Sequence, residues 1–394
     1  MSDVERVEAA DRLSIAVLGD FDGVHTRAWL RWFIDRGHAV HAISFYRPRV
    51  PVEGATLHEL RQRRGSATSD EGGKRGDGAS HVPRGVMRIV HALRYRAAGL
   101  SRVLREIDPD VFHAHYLVEH GLYGATAGFH PYVVSAWGSD VLVEPRRDAL
   151  SKRIARWTLG RADLVTSNNA HMAAQIVALG ADPAKVEVVT LGADRYDLGR
   201  SQESVNLRGD DASRAPVVIS TRAHEPLYNI DEIIAAYGTL ARRRPDVRLV
   251  VVHRGSLSER LQRDATGGAG RVEFMGFLDR ARFRDALADA HVFVSIPSSD
   301  ATSVALLQAM AAGCFPIVSD LPSQHEMIDD GVNGYRVPLH RPDVLAERIA
   351  QALDDGALRR RAAAINRGIV EERGLNEVQM AKLERLYLRL ARGR

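Results

Sequence analysis

In the stretch SSDATSVALLQAMAAGCFPIVSD (298–320), Asp300 stands eight positions before Gln308, across the start of an apolar helix. Thr302 or Ser303 can cap that helix, leaving the backbone N–H groups of 302–305, Val304 among them, free at its positive end. Such an end is a natural cradle for a diphosphate. Asp300, just outside, suits neutral hydroxyls rather than phosphate, and Gln308, between one and two turns further in, offers an acceptor and a donor to a diol. The alternative is a capped core helix beside a solvated Asp. A bound phosphate also needs a cation. Arg222, after the apolar run APVVIST (215–221), is the candidate, with a surface ion pair to Glu225 as the other reading.

Other residue types could do chemistry in the first half of the chain. His113 and His115, alternating in PDVFHAHY (109–116), share one face of a strand, but no third ligand follows at a recognised metal spacing. Asp20 with Asp22 and Asp108 with Asp110 form Asp-x-Asp pairs, and the second flanks a Pro where turn chemistry accounts for both. No metal is expected at either. Cys314, the single cysteine, excludes an intrachain disulfide and has no visible base beside it, so it reads as core.

These residues need elements to hold them. At 394 residues the chain is long for one core, and two domains are the expectation. The apolar runs at 13–19, 38–45, 109–116, 131–138, 162–168 and 185–192 alternate with helical stretches, as buried parallel strands of βαβ units do. The rhythm restarts at 215–221, 247–255, 270–277, 290–297 and 314–320, with a helix opening at Asp279. Two doubly wound α/β domains follow, with ligands at the C-terminal ends of the strands. The expected boundaries are 1–196, a linker at 197–214, 215–375, and a closing helix at 376–394. Residues 61–85, Gly-rich and charged, read as a mobile insertion.

Charge excludes less than it permits. Lys and Arg number 54 against 50 Asp and Glu, a net +4 that fits nucleotides, phosphates or a membrane surface and gives no motif for nucleic acid. A charged N-terminus and the lack of a long apolar run predict a cytoplasmic protein, with peripheral contact at the inner face of a membrane left open. The Arg-rich segment 84–107 could make such contact, although a solvated amphipathic helix over the sheet is the preferred reading.

Taken in order, GDFDGVHTR, DVFHAHY, SAWGSDVL, GAD at 192–194, TRAHEPLYNID, PSSDATSVALLQAMAAGCFPIVSD and DDGVNGYRVP resemble the retaining GT-B enzymes of glycosyltransferase family 4, over residues 12 to about 375. The resemblance implies two Rossmann-like domains facing a cleft, the first for the acceptor and the second for a nucleotide-sugar donor, with the C-terminal helix packing back. It implies that Asp300 contacts the donor sugar, that position 308 meets the ribose hydroxyls, and that Arg222 carries the diphosphate charge. Position 308 usually holds Glu in that family, so Gln308→Glu is expected to retain or improve donor use. The family's Lys after Arg222 is absent, with Tyr228 and Asn229 near its place. Gly276, Phe277 and Leu278 are expected at the base through their backbone, with Phe277 in the core as the alternative for its ring. In the first domain, Gly23 is expected near the donor phosphate or the acceptor, His25 facing the site or merely in the first helical turn, and His115 and Glu119 at the acceptor. Trp137 stands where family members often have a His, and Asp140 either takes a polar role or caps a turn.

The resulting expectation is metal-independent transfer of a hexose-type sugar, with retention, from a UDP- or GDP-sugar co-substrate to a small-molecule, glycan or lipid-linked acceptor, with no cofactor. Asp300, Arg222 and His115 are its catalytic candidates. A nucleotide-sugar epimerase on the same fold, or a non-catalytic nucleotide-sugar-binding paralogue acting as a complex partner, are the alternatives.

Overall fold

The computed structural model describes residues 8, 11–60, 84–198, 215–266, 268 and 270–394, with the backbone alone at 24, 25 and 84–95. The expected insertion at 61–85 falls outside the described residues up to 83, and the expected linker does so from 199 onward. Contacts group the described residues into a first unit within Met1–Thr166, Ile176–Glu187 and Glu384–Arg394 and a second within Ser167–Gln175 and Val188–Leu383.

The first unit is built on β1 (Ser14–Leu18), β2 (Ala39–Ser44), β3 (Thr56–Glu59), β4 (Val111–His115), β5 (Tyr132–Ser135), β6 (Leu164–Ser167) and β7 (Val186–Val188), in the order β3-β2-β1-β4-β5-β6-β7. Pairing from β3 through β6 is parallel throughout. Ile15, Ala16, Val17 and Leu18 are all fully buried, which is why β1 is an unbroken apolar run rather than an alternating one. The order reverses direction between β1 and β4. In a doubly wound sheet the crevice beyond that switch receives ligands, so Gly19 and His115 stand at its mouth.

The second unit repeats the plan with β8 (Val217–Ser220), β9 (Arg248–Val252), β10 (Arg271–Gly276), β11 (Val292–Ser295), β12 (Phe315–Ser319) and β13 (Tyr335–Val337), ordered β10-β9-β8-β11-β12-β13 and parallel throughout. Its switch lies between β8 and β11, whose ends lead to Arg222 and Asp300. The helix Arg280–Asp289 opens where expected, because the Asp279 carboxylate accepts from the Arg282 N–H at 2.9 Å. Strands β3 and β13 were not expected from the sequence. Both are edge strands, of four and three residues, too short to show a period.

The helix Asn376–Arg392 closes the chain, and from Glu384 onward it groups with the first unit. Glu384 accepts from Arg36 Nε at 2.8 Å and from His38 Nε2 at 2.6 Å. His38 Nδ1 accepts from the Leu13 N–H at 3.1 Å, so its proton must sit on Nε2, facing Glu384. Burial alone would raise the Glu384 carboxyl, but the His38 and Arg36 bonds hold it below the usual carboxylate range. Three residues further, Tyr387 stacks on Phe33 and its hydroxyl bonds His113 Nδ1. The helix start is fixed in the second unit, where Ala193 N–H donates to Gly374 O and Asn376 N–H to Ala193 O at 2.8 and 2.7 Å. Gly192 permits that approach, since a Cβ there would lie 2.2 Å from the Asn376 nitrogen.

Glu384→Ala strips a buried imidazole and a half-buried guanidinium of their shared acceptor, so it should cost about 1–3 kcal/mol. The midpoint of urea unfolding reads this, and an unchanged midpoint would show that the triad contributes nothing.

Candidate functional site

Arg222 leaves the end of β8 and is almost wholly covered, its side chain 10% exposed. Its guanidinium pairs with Asp300 Oδ2 at 3.1 Å, bonds Ser303 Oγ, and lies over the Tyr228 ring, 4.3 Å from the centroid. The surface pair with Glu225 does not form. Glu225 instead accepts from Ser256 N–H and Oγ at 2.7 and 2.5 Å. Tyr228, at the place of the absent Lys, supplies no charge and fixes the plane of the guanidinium by its π face.

Ser303 is the N-cap of the helix Val304–Ala311, its Oγ accepting from the Leu306 N–H at 3.4 Å. The Arg222 guanidinium is therefore anchored at the positive end of this helix. Asp300 takes a further bond from the Ala301 N–H at 3.0 Å. Burial raises its carboxyl above the ordinary value, opposed by the Arg222 charge. Asp300 is thus not a solvated acid beside a core helix but part of a buried ion pair. Around it Ser220 Oγ, Thr221 Oγ1 and Thr302 Oγ1 are buried without partners. Three unmet hydroxyls at one strand end and one helix start suit an incoming polar ligand. The two at 220 and 221 escaped the sequence reading, because hydroxyls closing an apolar strand look like ordinary strand ends.

Asn229 has φ +50° and spends its amide on Ile296 O at 2.8 Å and Ser298 Oγ at 3.0 Å. Its described bonds tie down the loop that carries Asp300, a positioning role. Gly276 ends β10 with φ +65°, and its carbonyl accepts from the His253 N–H at 2.7 Å. Phe277 is 66% exposed, edge-on to His253, so it does not enter the core, whereas Leu278 packs against it. Gln308 comes near the Asp197 carboxylate and lowers it slightly, against the larger effect of burial, which raises it above the ordinary range; Asp197 also accepts from the Asp194 N–H at 3.1 Å. Asp197 was not foreseen; it sits in a short turn of helix, Arg195–Leu198, with no local pattern to mark it.

In the first unit, Gly23 is the extended N-cap residue of the helix Val24–Asp35, and the side chain of His25 lies outside the described residues. His115 is buried with neither ring nitrogen partnered. It packs edge-on to Trp29 and His113, with Trp137 tilted on it at 5.3 Å. Burial, helped by His120, lowers it to about 3, so the ring is neutral at physiological pH. His113 has both nitrogens engaged, by Tyr387 and by Ser135 Oγ at 2.7 Å, which removes it from any metal pair. Glu119 is exposed at the start of the helix His120–Ala127 and makes no side-chain cap. Asp140 is fully buried and accepts from the N–H groups of Leu117, Trp137 and Gly138 at 2.8, 3.0 and 2.8 Å. Burial raises it to about 6 against those bonds. It fastens the loops after β4 and β5, so its carboxylate is committed to backbone rather than offered to an acceptor. The Asp-x-Asp pairs likewise serve turns and ties: Asp110 takes the Ser14 N–H at 2.7 Å, Asp108 pairs with Arg394 at 2.5 Å, and Asp20 takes the Asp22 N–H at 2.9 Å.

The catalytic candidates are therefore divided. Arg222 and Asp300 meet in the second unit, and His115 belongs to the first.

Two family models match the chain: "Glycosyl transferases group 1" over residues 208–368 and "Glycosyl transferase 4-like" over 82–169. A phosphatidyl-myo-inositol mannosyltransferase of Mycolicibacterium smegmatis is 29% identical over 186 residues, covering 47% of this chain and 46% of that protein. A D-inositol 3-phosphate glycosyltransferase of Kribbella flavida is 31% identical over 215 residues, half of each chain. The chain spans about half the length of the curated relatives it matches. Among solved structures, Anabaena HepE in complex with UDP-glucose superposes with a TM-score of 0.71 at 17% identity, covering 95% of this chain and 99% of that one. At that identity the likeness shows the fold.

The nearness of Gln308 to Asp197 sets a second prediction against the expected retention of donor use. Gln308→Glu would set a second carboxylate against buried Asp197, lowering stability by about 1–3 kcal/mol and weakening nucleotide binding. Adding Asp197→Asn should restore both in a thermal melt with and without nucleotide; no rescue would mean that the two side chains are not coupled.

His115 also gives a pH dependence. The unfolded chain protonates it near its ordinary value of 6.5, while the folded protein resists until about 3. Across that window the unfolded state binds more protons, so stability falls as pH drops, by up to about 5 kcal/mol at its lower end. Comparing His115→Phe with the parent between pH 7 and 4 should show the variant losing less; parallel curves would refute the buried neutral ring.

Proposed function

From a chain that belongs to the GT-B glycosyltransferases of the family 4 type, we propose transfer of a hexose-type sugar from a UDP- or GDP-sugar to a hydroxyl acceptor, with retention and without a metal. The observation that carries the reading is Arg222, held by Asp300, Ser303 and Tyr228 at the positive end of the helix Val304–Ala311. A nucleotide diphosphate placed there would meet one fixed guanidinium and the amides of the first helical turn. Both gain weight as charge gathers on the departing phosphate, which is the difference that lowers a barrier. Asp300, its charge already shared with Arg222, would face the sugar rather than repel the phosphate. The matched relatives act on inositol phosphates or phosphatidylinositol by their names. A polyol acceptor of that class is accordingly the first to try.

In this mechanism no side chain need act as a strong base. His115 is neutral and can position an acceptor hydroxyl, and the leaving phosphate can receive its proton as the sugar is attacked on the face from which it leaves.

Thermal unfolding in the presence of a chelator tests the donor site. A nucleotide at about 100 times its Kd should add about 2.7 kcal/mol to the folded state. UDP or GDP should raise the midpoint, Arg222→Ala should lose the rise, and the sugar product should keep the donor's anomeric configuration. No shift with any nucleotide would sink the reading. A changed sugar nucleotide released without acceptor would replace it with epimerisation, and nucleotide binding without turnover would leave a binding partner.

A further inference from the structure

The loop that follows β12 lies beside the Arg222 site. Strands β11 and β12 pair in parallel, with Ser295 opposite Val318, so the loops leaving both rise from one edge of the sheet. Ser319 Oγ ties the two loops by donating to Pro297 O at 2.8 Å. Five residues on, Gln324 spends its backbone on the loop's own turn. Its N–H donates to Leu321 O at 2.9 Å, and its carbonyl accepts from the N–H groups of Met327 and Ile328 at 3.1 and 2.9 Å. The side chain has no part in that turn. It is buried, 2% exposed, and donates through Nε2 to Ala301 O at 3.4 Å.

The other half of this amide is unmet: Gln324 Oε1 is buried and no donor reaches it. Turning the amide over would set its oxygen against Ala301 O and lose the one bond it makes. A buried carbonyl left so costs stability and does nothing for the loop. Its neighbours say what would meet it. Ala301 gives its N–H to the Asp300 carboxylate at 3.0 Å and its C=O to Gln324, so Asp300 and Gln324 grip one residue from its two polar ends. Thr302, with a buried and unmet Oγ1, comes next. A ligand hydroxyl can give its proton to the Gln324 oxygen, whereas ionised phosphate oxygens only accept. Phosphate therefore suits Arg222 and the helix start, and a polyol suits the acceptor oxygens of Asp300 and Gln324. Resting on the sugar-transfer reading above, we propose that Gln324 is a specificity-determining residue of the donor site. Its Oε1 accepts from one hydroxyl of the transferred sugar, and donors deoxygenated at that position are disfavoured.

The test is calorimetric titration of the parent, Gln324→Leu and Gln324→Met with UDP, GDP, UDP-glucose, GDP-mannose and forms of both sugars deoxygenated singly at C2, C3, C4 or C6. Nucleotide alone should bind all three proteins alike. The parent should bind the matching sugar nucleotide about tenfold more tightly than either variant does, and should lose about the same tenfold when one particular hydroxyl is removed. In the variants that removal should change nothing, because its partner is already gone. Unliganded thermal midpoints should stay at the parent's, the lost 3.4 Å bond being offset by removal of an unmet carbonyl. Nucleotide weakened as much as sugar nucleotide in both variants would mark a purely structural residue and overturn the inference alone. A parent indifferent to every deoxygenation would do the same, as would losses that add at every position. If no nucleotide or sugar nucleotide binds the parent, the inference falls together with the sugar-transfer reading.

Discussion

The second unit's site depends on one buried guanidinium. Arg222 is drawn almost wholly out of water, and a charge so placed is tolerable only if its donors are met on every side. Asp300 meets it with charge and Ser303 with a hydroxyl from the loop after β11, and Tyr228 with a π face from the loop after β8. The loop after β11 and the loop after β8 are consequently locked to one another, with Asn229 bridging them a second time through Ile296 and Ser298. The helix Val304–Ala311 starts where it does because Ser303 is shared between its own first turn and Arg222. Breaking a buried pair from one side costs about 3–5 kcal/mol, so the arrangement is rigid before any ligand arrives.

The first unit uses the same switch-point geometry with the opposite electrostatics. Its buried polar line runs from Tyr387 through His113 to Ser135 and on to Thr166, the last link 2.5 Å, and none of these groups is charged. His115, next along the same strand face, is kept neutral by burial, and the neighbouring Asp140 is pushed toward neutrality by the same cause. Helix residues 384 to 387 hold this line from one end, so the closing helix packs onto the central strand, β4, that ends in His115.

Much of this was legible in the sequence where a feature is local. The strands with long apolar runs, the cap at Asp279, the helix start at Ser303 and the turn at Asp20 and Asp22 rest on residues within a few positions of each other. The two edge strands were too short to declare a period. Asp197 near Gln308 and Glu384 joining Arg36 to His38 are long-range pairings, which no spacing announces. Asp140 shows the limit from the other side: a carboxylate beside a Gly-Ser turn reads equally as ligand or fastener, and only the three N–H groups aimed at it decide.

The contrast between the units has a chemical consequence. On the proposed reading, a doubly negative diphosphate would meet the fixed cation of Arg222 and the partial positive charge of the helix end without rearrangement of either. The crevice end of β4 offers a neutral imidazole with two unmet nitrogens and an indole face, partners for hydroxyl groups and sugar rings rather than for ions. On the proposed reading the buried histidine, costly as an unpartnered group, would be a preorganised contact whose cost is recovered when a hydroxyl takes up its nitrogens.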